Sequence, residues 1–184
     1  MAVIQNEIHL NRIFKYDIVT YHKLGAAGIL PRNTELIHGV VVYKMTISPI
    51  HRKAVHKLRE ILSSIFQNQY ILFQESPITI QDSEPEPYLL VLEGSHDDFS
   101  DKHPQTAKLV IEISVSSLED DLQKANLYAL AKIPFYWILN IQDKKVEVFS
   151  EPSPSGYITQ KTYSYEEKIS VPFSDQKISL SEIV

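Results

Sequence analysis

Glu112 is a carboxylate set inside an otherwise apolar run, KLVIEIS. Burying such a charge is costly unless a cation or a metal ion compensates it. Two readings follow: an acid at the edge of the core with a salt-bridge partner, or one ligand of a divalent ion. The second would suit phosphodiester hydrolysis, in which acids converging from neighbouring strands hold a metal and a cation meets the charge on the phosphate. Lys124, twelve residues on, falls in a helical stretch. It suits an ammonium brought to the end of the Glu112 strand, or an ordinary solvated lysine. Glu35, Glu84 and Glu86 stand before or at the start of other extended segments. In an extended chain Glu86 and Tyr88 share a face.

The seven histidines show no zinc spacing such as HExxH. His51 opens a basic helix and reads as a surface residue with some functional interest. His96, Asp97, Asp98, Asp101 and His103 crowd one loop and read as solvated acids and imidazoles. Arg52, Lys53, Lys57 and Arg59 form a basic helix face that suits phosphate contact or plain solvation. There is no glycine-rich phosphate loop and no GxSxG elbow.

The elements that must position these groups are legible in outline. YDIVTYHKLG predicts a short helix ending near Gly25, and ELIHGVVVYKM a hairpin of 35–37 with 40–45. Pro49 opens a helix over about 50–67, with Ala54, Val55, Leu58, Ile61, Leu62 and Ile65 on its apolar face. YILFQ and PITIQ read as two short strands or one bent one, YLLVLEG as another, and KLVIEIS as a central strand covered on both faces. Ser116 or Ser117 would cap a helix over about 119–132, whose stripe is Leu122, Ala125, Leu127, Tyr128 and Ala131 and which Pro134 ends. FYWILNI and KKVEVFS pair through a tight turn at 142–144, and YITQKTYSY is an edge strand. The sum is a mixed α/β fold.

The 184 residues suit one domain spanning 1–184 with a real core. Without cysteine there is no disulfide, thiolate zinc site or Cys nucleophile, which fits a cytoplasmic protein. No run of about 18 apolar residues suggests a membrane span, and the polar N-terminus does not read as a secretory signal. A net charge of −5 means that nucleic-acid binding needs a local basic patch or bridging metal ions.

Read in order, YHKLGAAGILPRNTELIHGVVV, MTISPIHRKAVHKL, SEPEPYLLV, LVIEISVSSLEDDLQKANLYALAKIPFYWILNI and KKVEVFSEPSPSGY resemble the Uma-type endonuclease family of the restriction-endonuclease-like, PD-(D/E)XK group. The resemblance covers nearly the whole chain. It implies a mixed β-sheet flanked by helices, Mg2+ or Mn2+ as cofactor, DNA as substrate, and a homodimer. It makes Glu112 a metal ligand and Lys124 the lysine moved from the strand to the helix, since position 114 is Ser. It adds Glu35 and His51 to the pocket. It also marks a departure: Pro87-Tyr88 stands where the family pattern has Pro-Asp, so a phenol replaces the second metal-binding acid. A neutral phenol is a poor ligand for a hard ion, and Glu86 is the alternative donor. The implied function is a metal-dependent DNA endonuclease with impaired activity. The alternative is a non-catalytic nucleic-acid-binding or assembly protein that keeps the fold.

Overall fold

The computed structural model describes residues 13–44, 48–67, 69–115 and 118–184. The expected capping serines, 116 and 117, and residue 45 at the end of the second hairpin strand lie outside them. The chain gathers into two compact units, one of residues 1–44 with 81–85 and a larger one of 45–80 with 86–184.

In the smaller unit, Asp17 caps α1 (Ile18–Ala26) by accepting the backbone N–H of Thr20 at 2.7 Å. β1 (Thr34–Ile37) and β2 (Val40–Tyr43) pair antiparallel about His38-Gly39. Both turn residues have positive φ, 49° and 77°, the requirement of a tight two-residue hairpin. The Tyr21 hydroxyl donates to the Thr34 carbonyl at 2.9 Å, tying α1 to β1. Residues 81–85 add a bridge between Leu36 and Glu84, and His22 Nε2 meets the buried Glu84 Oε1 at 2.5 Å.

The larger unit is built on a six-stranded sheet, β3 (Ile71–Gln74), β4 (Leu89–Leu92), β5 (Leu109–Ser114), β6 (Phe135–Asn140), β7 (Lys145–Ser153) and β8 (Gly156–Ser164), in that spatial order. Only β5 and β6 run parallel; the other neighbours are antiparallel. A parallel pair needs a crossover, and α3 (Leu118–Leu130) supplies it. All six residues of β5 are buried, as expected of a strand covered on both faces. Strand alternation sorts them. Leu109, Ile111 and Ile113 join Ala54, Val55, Leu58 and Leu62 of α2 (Pro49–Phe66), with Trp137 and Leu139 of β6, in one apolar core. Trp137 is 1% exposed, and its indole N–H has no partner among the described residues. Val110, Glu112 and Ser114 face the other way, toward α3. β9 (Ile169–Ser170) and β10 (Lys177–Ile178) form a small separate sheet whose Ile169 and Ile178 close the α2-side core.

Three expectations need correction. PITIQ forms no strand: apart from one bridge residue at Ile80 it is irregular, and Thr79 N–H bonds to the Pro104 carbonyl at 2.9 Å rather than to a ladder. Pro77, which lacks an N–H, fits that outcome. On α3, Leu122 is 37% exposed while Asp121 is buried, so the inward face is Asp121, Ala125, Leu127, Tyr128 and Ala129. Lys124 and Tyr128 of this helix reach the carboxylate that β5 presents there. Finally, β4 begins at Leu89, so Glu86 and Tyr88 precede the strand and its alternation does not govern them.

Candidate functional site

Glu112 sits two residues before the end of β5 and is 2% exposed. Its Oε1 accepts two hydrogen bonds from α3, from Lys124 Nζ and from the Tyr128 hydroxyl, each at 3.3 Å. Lys124 and Tyr128 are one helical turn apart and therefore share a face. The Lys124 side chain is itself 13% exposed, so the ion pair is largely removed from water. Of the two sequence readings of Lys124, the structure selects the one that brings the ammonium to the strand.

Asp121, one turn before Lys124, is the residue that the sequence reading missed. It is 5% exposed. Its backbone carbonyl accepts the Tyr136 hydroxyl at 2.8 Å, and Tyr136 packs on Tyr128 with ring centroids 4.8 Å apart. Burial, then Glu112, then Asp121 hold the Tyr136 phenol well above its ordinary range. The signal in the sequence was helical phase: Asp121, Lys124 and Tyr128 recur at i, i+3 and i+7, one face of a helix.

Tyr88 lies beside this group. Its ring packs against the apolar core on the α2 side of the sheet. The Tyr88 carbonyl accepts Glu75 N–H at 3.1 Å. The ring stacks on His51, with centroids 5.4 Å apart and planes 24° apart. Burial, then Glu112 and Asp121, raise its pKa; Lys124 opposes them and Glu75 adds to them. The phenol is thus a neutral group beside carboxylates.

His51 is 3% exposed, which corrects its reading as a surface residue. Ser48 and His51 form a reciprocal cap at the start of α2: Ser48 Oγ accepts His51 N–H at 3.4 Å, and His51 Nδ1 accepts Ser48 N–H at 3.3 Å. The other ring nitrogen, Nε2, donates to the Ile113 carbonyl at 2.9 Å. This leaves a neutral imidazole with the proton on Nε2. Burial lowers its pKa, against the smaller opposing effect of the Ile113 bond. The capping motif draws His51 inward, and its ring then bridges α2, Tyr88 and the end of β5.

The other candidates are placed as follows. Glu86 is half-buried in the extended segment before β4. Glu35 is buried on β1 of the smaller unit. Arg52, Lys53, Lys57 and Arg59 are all exposed on α2. In the loop after β4, Asp98 accepts Ser95 N–H at 2.8 Å and the Ser95 hydroxyl at 2.9 Å, capping a single turn, His96–Phe99. That agrees with the solvated reading of its acids.

Hard divalent ions take carboxylates and neutral oxygens. At position 88 the donor fails that test, being a phenol that its surroundings keep protonated. On the α3 side the donors pass it. Glu112 and Asp121 are two buried carboxylates. Ser114 Oγ, on the same face of β5 as Glu112, is 1% exposed and has no hydrogen-bond partner among the described residues.

Residues 29–181 match the Uma2 family, which carries the description "Putative restriction endonuclease". The chain belongs to the Uma2 family. The same fold occurs in a crystal structure from Anabaena variabilis, described as a putative nuclease belonging to DUF820: TM-score 0.66, 16% identity, 87% of this chain and 96% of that one. The type IIG restriction endonuclease BpuSI aligns with 73% of this chain and 14% of its own, at 15% identity and a TM-score of 0.37, too remote to argue from. Among curated proteins none matches. Family and fold are thus those of restriction-endonuclease-like nucleases. The expected mixed sheet with flanking helices is what the larger unit contains.

Proposed function

We propose that this protein is a metal-dependent endonuclease-like protein acting on DNA phosphodiesters, with cleavage weakened at one position. The observation that carries the reading is the Glu112–Lys124 pair, a buried acid and an ammonium at 3.3 Å, at the end of a central strand in a nuclease fold. A divalent ion bound there would supply Lewis-acid polarisation of the scissile phosphate and a more acidic water. Glu112 would hold the ion. Lys124 would meet charge on the phosphate oxygens, and His51 would fix Tyr88 and the β5 terminus in place. Glu35 and Glu86 are the remaining acids of the reading. The weakening is assigned to Tyr88, a neutral phenol in place of a carboxylate.

The test is nicking of supercoiled DNA with Mg2+ or Mn2+. The native chain should cleave weakly, Tyr88→Asp at least about tenfold faster, and Glu112→Ala not at all. Robust, Glu112-dependent cleavage by the native chain overturns the impaired site.

A second reading, binding without catalysis, is favoured by the exposed row Arg52, Lys53, Lys57 and Arg59 on α2. It requires that Tyr88→Asp stay inactive while DNA binding weakens with salt. The same proposal takes the protein as a cytoplasmic homodimer, which sedimentation velocity checks. Among the described residues no helix is long and apolar enough to cross a membrane.

A further inference from the structure

We propose that Tyr128 is the positioning residue of this site: its hydroxyl holds the Glu112 carboxylate in place when Lys124 turns from Glu112 to the phosphate. The inference deepens the proposed function and rests on it for the movement of Lys124. The hold of Tyr128 on Glu112 stands on the geometry alone.

Lys124 is asked to do two things. Its ammonium is 3.3 Å from Glu112 Oε1 in the structure, and in the proposed chemistry it meets charge on the phosphate. It is suited to move, being a point charge on a flexible four-carbon stem. Its side chain also keeps 13% of its surface in water. Its departure takes a donor from a carboxylate that is 2% exposed. A buried carboxylate that loses a donor is costly, and its plane is free to turn.

The Tyr128 hydroxyl donates to the same oxygen, also at 3.3 Å. Tyr128 is suited to stay. It is fully buried, and its ring packs on Tyr136 with centroids 4.8 Å apart. Tyr136 is itself held twice. Its hydroxyl donates to the Asp121 carbonyl at 2.8 Å, and its ring stacks on Phe149 with centroids 5.6 Å apart and planes 28° apart. Tyr136 lies on β6 and Phe149 on β7, so the sheet backs a ring that α3 carries. Two donors from one helix face thus differ in kind: one is mobile and half in reach of water, the other is wedged. Supports of the wedged kind orient an acid without entering the chemistry. The plainer role for Tyr128 is packing, which needs the ring and not the hydroxyl.

The experiment therefore removes the hydroxyl and keeps the ring. Glutamate labelled with carbon-13 at the side-chain carboxyl reports on Glu112, whose resonance is assigned by its loss in Glu112→Gln. In Tyr128→Phe that resonance should shift and broaden while the thermal midpoint stays close to that of the native chain. An unmoved resonance overturns the proposal. A second measurement needs no Tyr128 variant to fold. In a chain carrying Lys124→Met, the Tyr128 hydroxyl proton should still exchange slowly with water, read from the isotope shift of its Cζ carbon. Loss of that protection overturns the fixed support. In the Tyr88→Asp background with Mg2+, Tyr128→Phe should lower kcat for DNA nicking about tenfold. KM for DNA should not change, because a fully buried side chain does not touch DNA. An unchanged kcat, or a raised KM in place of a lowered kcat, overturns the role in the reaction. Absence of cleavage in every variant sinks the nuclease reading, and the carboxyl resonance and the hydroxyl exchange then decide the hold on Glu112 by themselves.

Discussion

At the residue scale the energetics centre on Glu112. Its partner Lys124 compensates a carboxylate that is 2% exposed, so removing the ammonium strands a buried charge. Lys124→Met should lower unfolding free energy by roughly 3 kcal/mol, measured by urea denaturation at neutral pH. In the Glu112→Gln background the same change should cost far less, since no charge remains to be stranded. His51 gives a pH dependence whose sign is fixed. Its folded pKa lies below the ordinary imidazole value of 6.5, so its contribution to stability is complete above that pH. It is lost as pH falls through the depressed folded value, because the unfolded state then binds the proton more readily. His51→Gln should therefore show a shallower fall in thermal midpoint between about pH 7 and pH 5 than the native chain. Glu112 was legible in the sequence because a lone acid in an apolar strand is conspicuous. Asp121 was not, because a helix of mixed polarity hides which of two adjacent acids turns inward. His51 was misread for a related reason: a histidine among lysines and arginines looks solvated until the cap that turns it inward is seen.

At the element scale α2 divides its labour cleanly. Ala54, Val55, Leu58 and Leu62 seal one face of the sheet, while Arg52, Lys53, Lys57 and Arg59 remain in water. Reversing Lys53 and Lys57 to Glu should leave the thermal midpoint almost unchanged. Under the proposed function it should weaken DNA binding and flatten its salt dependence, read from a fluorescence titration at several salt concentrations. The β1–β2 hairpin makes a different demand. Gly39 has φ +77°, and a Cβ there would lie 2.9 Å from Lys15 Cβ and 3.1 Å from the Tyr16 carbonyl. Gly39→Ala should destabilise the smaller unit by about 1–3 kcal/mol, seen as faster amide exchange in β1 and β2. Strongly periodic elements such as α2 and β5 were readable to within a residue or two. PITIQ was not, because its alternation is that of a strand, and only the carbonyl of Pro104, distant in sequence, reveals where its backbone bonds go.

At the scale of the whole molecule, the six-stranded sheet with a single parallel pair explains why Glu112 and its α3 partners gather where they do. A parallel pair must return its chain over one face of the sheet, and here the returning helix carries Asp121, Lys124 and Tyr128 back across the end of β5. The apolar runs of the central strands and the helix between them were visible in the sequence, so the mixed α/β class was too. The order of the strands was not, since pairing of β3 with β4 and of β7 with β8 depends on contacts that no local pattern encodes. The core on the α2 side carries an optical consequence. The chain has one tryptophan, and that residue lies in β6 of the larger unit, 1% exposed with its indole N–H unbonded among the described residues. Its emission should sit at the blue edge of the tryptophan range when excited at the red end of its absorption. It should move red only when the larger unit opens. Set beside far-ultraviolet dichroism, which weighs both units, that one colour change would time the melting of the sheet separately from that of the hairpin.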